Sequence, residues 1–253
     1  MTTNQFREAG RVQTSLLASI EKRCLIWLAG RMPHSVNSDH LTALAGVSML
    51  AAGLCYWNGS PAALIGAVLL LAVNWFGDSL DGTLARVRRH ERPRYGYYVD
   101  HVLDVVSILF IFAGLVLGGH MSPIAGGAFL LAYYLVMIQI ALAAHAVGTF
   151  CISFWKFGPT ELRILLAIGT LRLLWSDQAT IAGTRYLLFD LGGVIGTAGL
   201  LVAFVVSAVV NTVMLYRAEP LPGRIKLPTN ETERDRRPAV AAATAALPGT
   251  AAK

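Results

Sequence analysis

The sequence predicts an all-α, polytopic membrane protein with six transmembrane helices and an N-terminal amphipathic helix at the membrane interface. Hydrophobic residues make up 55% of the 253 residues and charged residues only 14%, which is outside the composition of soluble domains. Three long stretches, residues 40–77, 105–155 and 191–216, contain no Asp, Glu, Lys or Arg. Since one helical span needs about 20 apolar residues, each of the first two stretches can cross a bilayer twice.

Turn signals divide the two longest apolar stretches. The first is split at residues 58–61 and the second at residues 118–123, because Gly, Asn, Ser and Pro in succession favour turns. The pattern therefore predicts helices over roughly residues 40–57, 62–88, 96–118, 123–149, 159–175 and 186–216. Together they form one six-helix domain, 40–217.

Two segments flank this domain. Within the N-terminal segment 1–39, residues 13–32 alternate apolar and basic side chains, which predicts an amphipathic helix on the cytoplasmic membrane surface. Residues 218–253 are rich in Pro, Ala and charge, and we expect a disordered cytoplasmic tail.

Basic residues predict which side of the membrane each connection faces. They precede the first span, join the second to the third and the fourth to the fifth, and follow the sixth: Arg7, Arg11, Lys22, Arg23 and Arg31; Arg86, Arg88, Arg89, Arg92 and Arg94; Lys156; Arg217, Arg224 and Lys226. The opposite turns carry almost no charge. By the positive-inside rule both termini are cytoplasmic, which in a bacterium places the protein in the inner membrane. The net charge of +6 then reflects topology and anionic lipid rather than nucleic acid, because no aromatic platform accompanies the arginines.

Two pairs of aspartates stand at helical spacing beside the cytoplasmic edge: Asp78 with Asp81, and Asp100 with Asp104. Residues three or four apart share one helix face, and the short connection makes the two helices antiparallel neighbours. Four carboxylates at one level repel one another unless cations are present. The pattern predicts a site for Mg²⁺ or Mn²⁺, which prefer oxygen ligands. A solvated face paired with nearby arginines accounts for one or two of these acids, but not for four in register.

A longer motif surrounds these acids. The sequence from Asp78 to Asp104 reads D-x2-D-G-x2-A-R, a gap of nine residues, then G-x3-D-x3-D. This resembles the signature of the CDP-alcohol phosphotransferase (CDP-alcohol phosphatidyltransferase) family, with a gap at the long end of the family's range. The resemblance covers the six predicted helices and implies a membrane enzyme that is usually a homodimer.

The resemblance implies a reaction of phospholipid biosynthesis. Such enzymes cleave the pyrophosphate of a CDP-linked alcohol, transfer the phospho-alcohol to an acceptor hydroxyl and release CMP. By the same resemblance two divalent ions are held by Asp78, Asp81 and Asp100, and Asp104 is both a partial ligand and the general base.

Further positions of the motif are implied to bind the nucleotide. They are Gly82, Ala85, Arg86 and Gly96. The two glycines leave room for the nucleotide to approach the backbone, and the arginine can hold the diphosphate through two parallel hydrogen bonds.

A second resemblance concerns the choice of substrates. Asp100-His101-Val-Leu-Asp104 is similar to the D-H-x-x-D variant of choline and ethanolamine phosphotransferases, and the surroundings of His145 and of residues 157–161 are similar to later elements of that branch. It would make His101 a second candidate for catalytic proton transfer, with CDP-ethanolamine or CDP-choline as donor and diacylglycerol as acceptor.

The match to that branch is incomplete, so we expect the other branch, in which CDP-diacylglycerol reacts with a small polar alcohol. The candidate acceptor pocket comprises His145, Lys156, Glu161 and Arg163. Because the fourth predicted helix carries no Lys or Arg, a neutral acceptor is favoured over a phosphorylated one. His145 and Glu161 also have structural interpretations, as a buried histidine and as a complement to a helix dipole.

Two other classes of membrane protein explain parts of this sequence, a cation transporter and a purely structural protein. A divalent-cation transporter also places acids inside a helical bundle, but it predicts acids along a pore and internal repeats, whereas these acids cluster at one end. Gly192 and Gly196 form a small-residue face that serves either dimerisation or packing within the chain.

Overall fold

Seven helices make up most of the structure. It is a computed structural model that describes residues 10–12, 18–146, 149–151, 159–181 and 183–219. The helices are α1 (Ala18–Ala29), α2 (Ser38–Asn58), α3 (Pro61–Arg88), α4 (Pro93–Leu117), α5 (Pro123–Ala146), α6 (Pro159–Leu173) and α7 (Leu188–Ala218). The chain divides into two units after Thr212, and the second includes the last turns of α7.

Five of these helices, α2, α3, α4, α5 and α7, are long and apolar enough to cross a membrane. The chain is therefore a polytopic membrane protein. The predicted helix 159–175 is realised as α6, which has 15 residues and measures only about 22 Å at 1.5 Å per residue. Its length falls short of the about 20 residues that a full span needs, so the described residues provide five of the six expected long spans.

Two small β-elements accompany the helices, and the all-α prediction omitted both. β1 (Gly10–Val12) pairs in parallel with β2 (Thr149–Cys151), and β3 (Gln178–Ile181) pairs antiparallel with β4 (Thr184–Leu187). Strands of three or four residues carry too few positions for a recognisable alternation. The predicted fourth span was consequently extended to residue 149, three residues beyond the end of α5.

The turn between α2 and α3 forms for local reasons that the sequence predicts. Gly59 closes α2 with a left-handed φ of 66°, which glycine adopts without a steric penalty. Ser60 caps α3 by accepting a hydrogen bond from the backbone N–H of Ala63, and Pro61 occupies the first helical position. The two apolar segments therefore form an antiparallel helical hairpin.

The helices pack around α2. It lies against both α3 and α4, while α6 packs on α3 and α5 packs on α4. Near its C-terminal end, buried Tyr56 shares a 2.7 Å hydrogen bond with Thr170 of α6. At the N-terminal ends of α5 and α7, the backbone N–H of Ser122 donates to Asp190 at 2.6 Å. These polar contacts join helices at the end of the bundle where α2 ends.

The amphipathic segment predicted at residues 13–32 contains α1, and residues 13–17 lie outside the described part of the chain. Ile26 and Trp27 are exposed on α1, as expected for a helix at the membrane interface. The opposite face is packed rather than free: Leu25 and Ala29 form a buried cluster with Leu41, Leu80 and Leu84. The predicted disordered tail lies almost wholly beyond the described residues.

A glycine sets the distance between α2 and α3 beside the acidic motif. A Cβ atom on Gly77 would lie 2.6 Å from the carbonyl oxygen of Leu41. We expect Gly77→Ala to be less stable than Gly127→Ala by about 1–3 kcal/mol, the usual cost of overpacking. Gly127 on α5 has no neighbouring atom within 4 Å of such a Cβ. Unfolding in detergent, followed by circular dichroism, measures the difference, and equal midpoints would contradict the close packing at Gly77.

Candidate metal centre and active site

Three of the predicted aspartates converge at one end of the bundle. Asp78 of α3 and Asp100 and Asp104 of α4 each offer a carboxylate oxygen, and these oxygens lie within 4.8 Å of one another. The convergence depends on α2, because α2 packs extensively against both α3 and α4. The sequence predicted α3 and α4 as antiparallel neighbours, and the structure adds that a third helix, α2, packs against both of them.

The carboxylates line a small cavity between these helices. Its lining residues are Thr42, Ala45, Gly46, Asn74, Asp78, Asp81, Asp100, Leu103, Asp104 and Ser107. The cavity volume is about 20 Å³, which is room for about one water molecule. The cavity between the helices can therefore hold a small ion, and a nucleotide would have to lie outside it.

Asp81 lines the cavity but is turned toward α2. Its Oδ2 accepts a 2.5 Å hydrogen bond from the hydroxyl of Thr42, and its Oδ1 accepts one from the backbone N–H of Gly82. It lies outside the group of three converging acids. Sequence spacing predicted the shared face of Asp78 and Asp81, but not the hydroxyl that orients the second carboxylate.

Arg163 reaches the acids from α6. Its Nη2 donates to Asp78 Oδ2 at 2.5 Å, and the two side chains are 15% and 26% exposed. The guanidinium is shielded from water and offsets part of the repulsion among the carboxylates. Arg163 was predicted to line the acceptor pocket because it is close in sequence to the other residues of that pocket. In the structure its guanidinium instead contacts Asp78, a predicted metal ligand.

Asn74 is a site residue that sequence reasoning missed. It lies one helical turn before Asp78, is 5% exposed and lines the same cavity. Its Nδ2 donates to the carbonyl oxygen of Ala45 at 3.0 Å, whereas its Oδ1 is buried without a hydrogen-bond partner. The i−4 spacing from Asp78 was the available signal. A carboxamide oxygen without a donor, together with three carboxylates, forms a set of oxygen ligands that suits a hard divalent cation.

Tyr133 of α5 was also missed. Its hydroxyl is close enough to Asp104 and Arg163 to interact with them electrostatically. No charge or motif marked it, because the predicted fourth span contains no Asp, Glu, Lys or Arg. Only the packing of α5 against α4 brings this phenol to the site.

The family is shown by comparison with known sequences. A sequence profile described as CDP-alcohol phosphatidyltransferase matches residues 36–220, a range that includes the whole acidic motif. The chain belongs to the CDP-alcohol phosphatidyltransferase family. The resemblance inferred from the spacing of the acids is thereby confirmed.

A curated protein is similar to part of this chain. Archaetidylinositol phosphate synthase of Methanothermobacter thermautotrophicus is 33% identical over 119 residues, which cover 46% of this chain and 57% of that protein. The chain thus spans just over half the length of the relative that it matches.

The predicted nucleotide-binding positions of the chain lie near the acids in sequence and at the end of α3 and the start of α4. Arg86 is exposed on the last turns of α3, and its Nη2 donates to the hydroxyl of Thr83 at 3.2 Å. A Cβ on Gly82 would lie 3.4 Å from the Arg86 guanidinium, whereas Gly96 is exposed and has open space around it. Ala85 is partly buried. These residues extend from the cavity toward the connection between α3 and α4.

His101 lies next to Asp100 but does not line the cavity. Its ring stacks on Tyr97 with 4.1 Å between centroids, and its Nδ1 lies 2.8 Å from the Tyr97 carbonyl oxygen. The same nitrogen is 3.9 Å from Asp100 Oδ2. A proton on Nδ1 that is donated to the carbonyl leaves Nε2 as the basic nitrogen.

Two of the other predicted acceptor residues lie at described helix ends. His145 is exposed in the last turn of α5, and Glu161 is partly buried in the first turn of α6. Lys156 lies outside the described residues. Of the four predicted acceptor residues, Arg163 is the one that the described contacts place against an aspartate of the cluster.

Proposed function

We propose that this phosphatidyltransferase transfers a phosphatidyl group from CDP-diacylglycerol to the hydroxyl of a small polar alcohol and releases CMP. The observation that carries the proposal is the convergence of three carboxylate oxygens within 4.8 Å at one end of a membrane helix bundle. Pyrophosphate chemistry depends mainly on positioning and charge neutralisation, and such a cluster can bind the cations that provide both.

Asp78, Asp100 and Asp104 are proposed to hold one Mg²⁺ or Mn²⁺, and Asp81 to complete a second site. When bound, these ions neutralise the pyrophosphate and make a neighbouring hydroxyl more acidic. Thr42 keeps one oxygen of Asp81 oriented through the 2.5 Å hydrogen bond. Asn74, which lines the same cavity and has a buried Oδ1 without a hydrogen-bond partner, would supply a neutral oxygen.

Asp104 is proposed to accept the proton of the attacking hydroxyl. As that proton moves to the carboxylate, the hydroxyl oxygen forms a bond to the phosphorus that carries the diacylglycerol. The bond from this phosphorus to the bridging oxygen breaks, and CMP leaves with the electron pair. Arg86, with Gly82, Ala85 and Gly96, would hold the nucleotide end of the donor. His101 remains a second candidate for the proton transfer.

Arg163 bears on the choice of acceptor. The expectation of a neutral alcohol rested on the absence of Lys and Arg from the predicted fourth helix, but a guanidinium enters the site from α6. A cation with several donors suits a phosphate group. The similar protein from M. thermautotrophicus is named as a synthase of archaetidylinositol phosphate. We therefore propose that the acceptor is a small alcohol that carries a phosphate.

We also propose that α6 serves as the sixth crossing and that both termini face the cytoplasm with the site. Arg163 near the start of α6 contacts the acid end of α3, while Thr170 contacts Tyr56 near the opposite end of α2. A homodimer stays a prediction. Gly196 packs within the chain, since a Cβ there would meet the ring of Phe129, while Gly192 has open space.

Labelled donors test the reaction directly. In one set of assays, purified enzyme with Mn²⁺ receives labelled CDP-diacylglycerol and one acceptor at a time: glycerol phosphate, inositol phosphate, inositol or serine. In a second set it receives labelled CDP-ethanolamine or CDP-choline with diacylglycerol. We expect label in a lipid whose headgroup comes from a phosphorylated alcohol, together with CMP. Transfer from CDP-ethanolamine or CDP-choline to diacylglycerol instead would overturn the donor assignment and favour His101 as a catalytic group.

A further inference from the structure

The interfacial helix α1 makes a polar contact that its amphipathic pattern does not explain. The partly buried carboxylate of Glu21 accepts three hydrogen bonds through its Oε1: from Trp75 Nε1 at 2.9 Å, from Ser79 Oγ at 3.1 Å and from Thr160 Oγ1 at 3.2 Å. Its Oε2 lies 3.4 Å from Thr160 Oγ1. A role in complementing the dipole of α1 requires none of these donors.

The donors come from the two helices that meet at Asp78. Trp75 and Ser79 flank this aspartate on α3, and Thr160 lies in the first turn of α6, three residues before Arg163. Through these hydrogen bonds Glu21 connects the start of α6 to the part of α3 that carries the acidic motif. Because Arg163 is on the next turn of α6, a displacement of the start of α6 would also move its guanidinium relative to Asp78.

We propose that Glu21 is a positioning residue that keeps Arg163 against the acid cluster during the reaction. The inference rests on the proposed function. Bound cations and Arg163 both interact with the Asp78 carboxylate. Bound cations therefore weaken the electrostatic attraction between Asp78 and Arg163. Glu21 is outside the cavity and keeps its contacts with α3 and α6 when cations and substrates enter. Arg163 is then still presented to the acceptor phosphate.

A conservative and a disruptive variant separate this role from a general one. Glu21→Gln retains a carbonyl oxygen where all three donors converge, whereas Glu21→Leu has a similar size and no acceptor. We expect Glu21→Leu to raise the KM for the acceptor by about 10- to 100-fold, as small misplacements do, with the KM for the CDP-linked donor unchanged. Glu21→Gln is expected to keep the KM for the acceptor close to the wild-type value. Lys22→Leu removes an exposed charge from the neighbouring position and serves as the matched control.

A double-mutant comparison tests whether Glu21 acts through Arg163. In an Arg163→Gln background, Glu21→Leu is expected to change the acceptor KM by less than about twofold, because the group that it positions is absent. If the two effects multiply instead, Glu21 stabilises the fold without positioning Arg163, and the inference is wrong.

A distance measurement keeps this test independent of the activity. Spin labels at Cys24 on α1 and at Leu165→Cys on α6, both exposed positions, report the separation of the helices by double electron–electron resonance after the other cysteines are replaced. With Mn²⁺ replaced by diamagnetic Mg²⁺, Glu21→Leu is expected to broaden the distribution, while Glu21→Gln leaves it narrow. Unchanged distributions would overturn the positioning role even if no CDP-linked donor is a substrate. A distribution that broadens in Glu21→Leu, in a protein that releases no CMP, would support the positioning role of Glu21 and count against the proposed reaction.

Discussion

Replacement of Asp104 by Asn is expected to reduce the turnover number by about 100- to 10,000-fold, the range that a positioned general base contributes. Asn keeps the size and an oxygen of the side chain but cannot accept the proton of the acceptor hydroxyl. Asp78 and Asp100 remain, so Mn²⁺ binding is expected to weaken but to stay measurable. The rate of CMP release at saturating donor and acceptor measures the effect on turnover.

His101→Gln is the comparison that makes this prediction discriminating. The His101 ring is held by Tyr97 through stacking and through the 2.8 Å contact of Nδ1 with the backbone carbonyl. It does not line the cavity that contains Asp104, so we expect less than about a tenfold loss, far below that of a general base. Full activity in Asp104→Asn with a large loss in His101→Gln would transfer the base role to the histidine.

Asp78→Asn is expected to have the largest effect on stability, a loss of about 3 kcal/mol in the free energy of unfolding. The substitution removes the carboxylate that accepts the hydrogen bond of the Arg163 guanidinium, and only 15% of the Arg163 side chain is exposed. The value is at the low end for a buried ion pair, since Asp78 itself is partly exposed. Denaturation in mixed detergent micelles, followed by circular dichroism, provides the measurement.

Two controls identify the cause of that loss. The Arg92–Asp39 pair has the same chemistry but side chains that are 51% and 42% exposed, so Asp39→Asn is expected to cost less than about 1 kcal/mol. Combining Asp78→Asn with Arg163→Gln also removes the positive charge of Arg163, and we expect it to recover part of the lost free energy of unfolding. If the double variant is as unstable as the sum of the single variants, the ion pair is not responsible.

Much of the fold could be predicted because apolar length and turn residues act locally. Asn58 to Pro61 stop one span and start the next, and the observed caps at Gly59 and Ser60 use the chemistry that these residues favour. The short α6 and the strand pairs could not be predicted in the same way. Their extent depends on packing against other helices and on pairing between segments that are distant in sequence.

The acidic centre was predictable for a similar reason. Spacings of three and four residues place two carboxylates on one helix face, whatever the rest of the chain does. Glu21 and Thr42 were not predictable, because a polar residue at either position has several local explanations. Asn74 had a signal in its i−4 spacing from Asp78, but that spacing alone does not mark a site residue. The contacts of these three residues with Trp75, Asp81 and Ala45 arise only when α1, α2 and α3 pack together.

Binding of Mn²⁺ to the purified protein tests the central claim most directly. Electron paramagnetic resonance of free Mn²⁺ is followed during titration of the wild type and of a variant with Asp78, Asp100 and Asp104 all replaced by Asn. We expect the wild type to bind the ion, EDTA to abolish both this binding and CMP release, and the triple variant to bind none at the same concentrations. Equal binding by the two proteins, or CMP release that persists in EDTA, would contradict a cation site at these three aspartates.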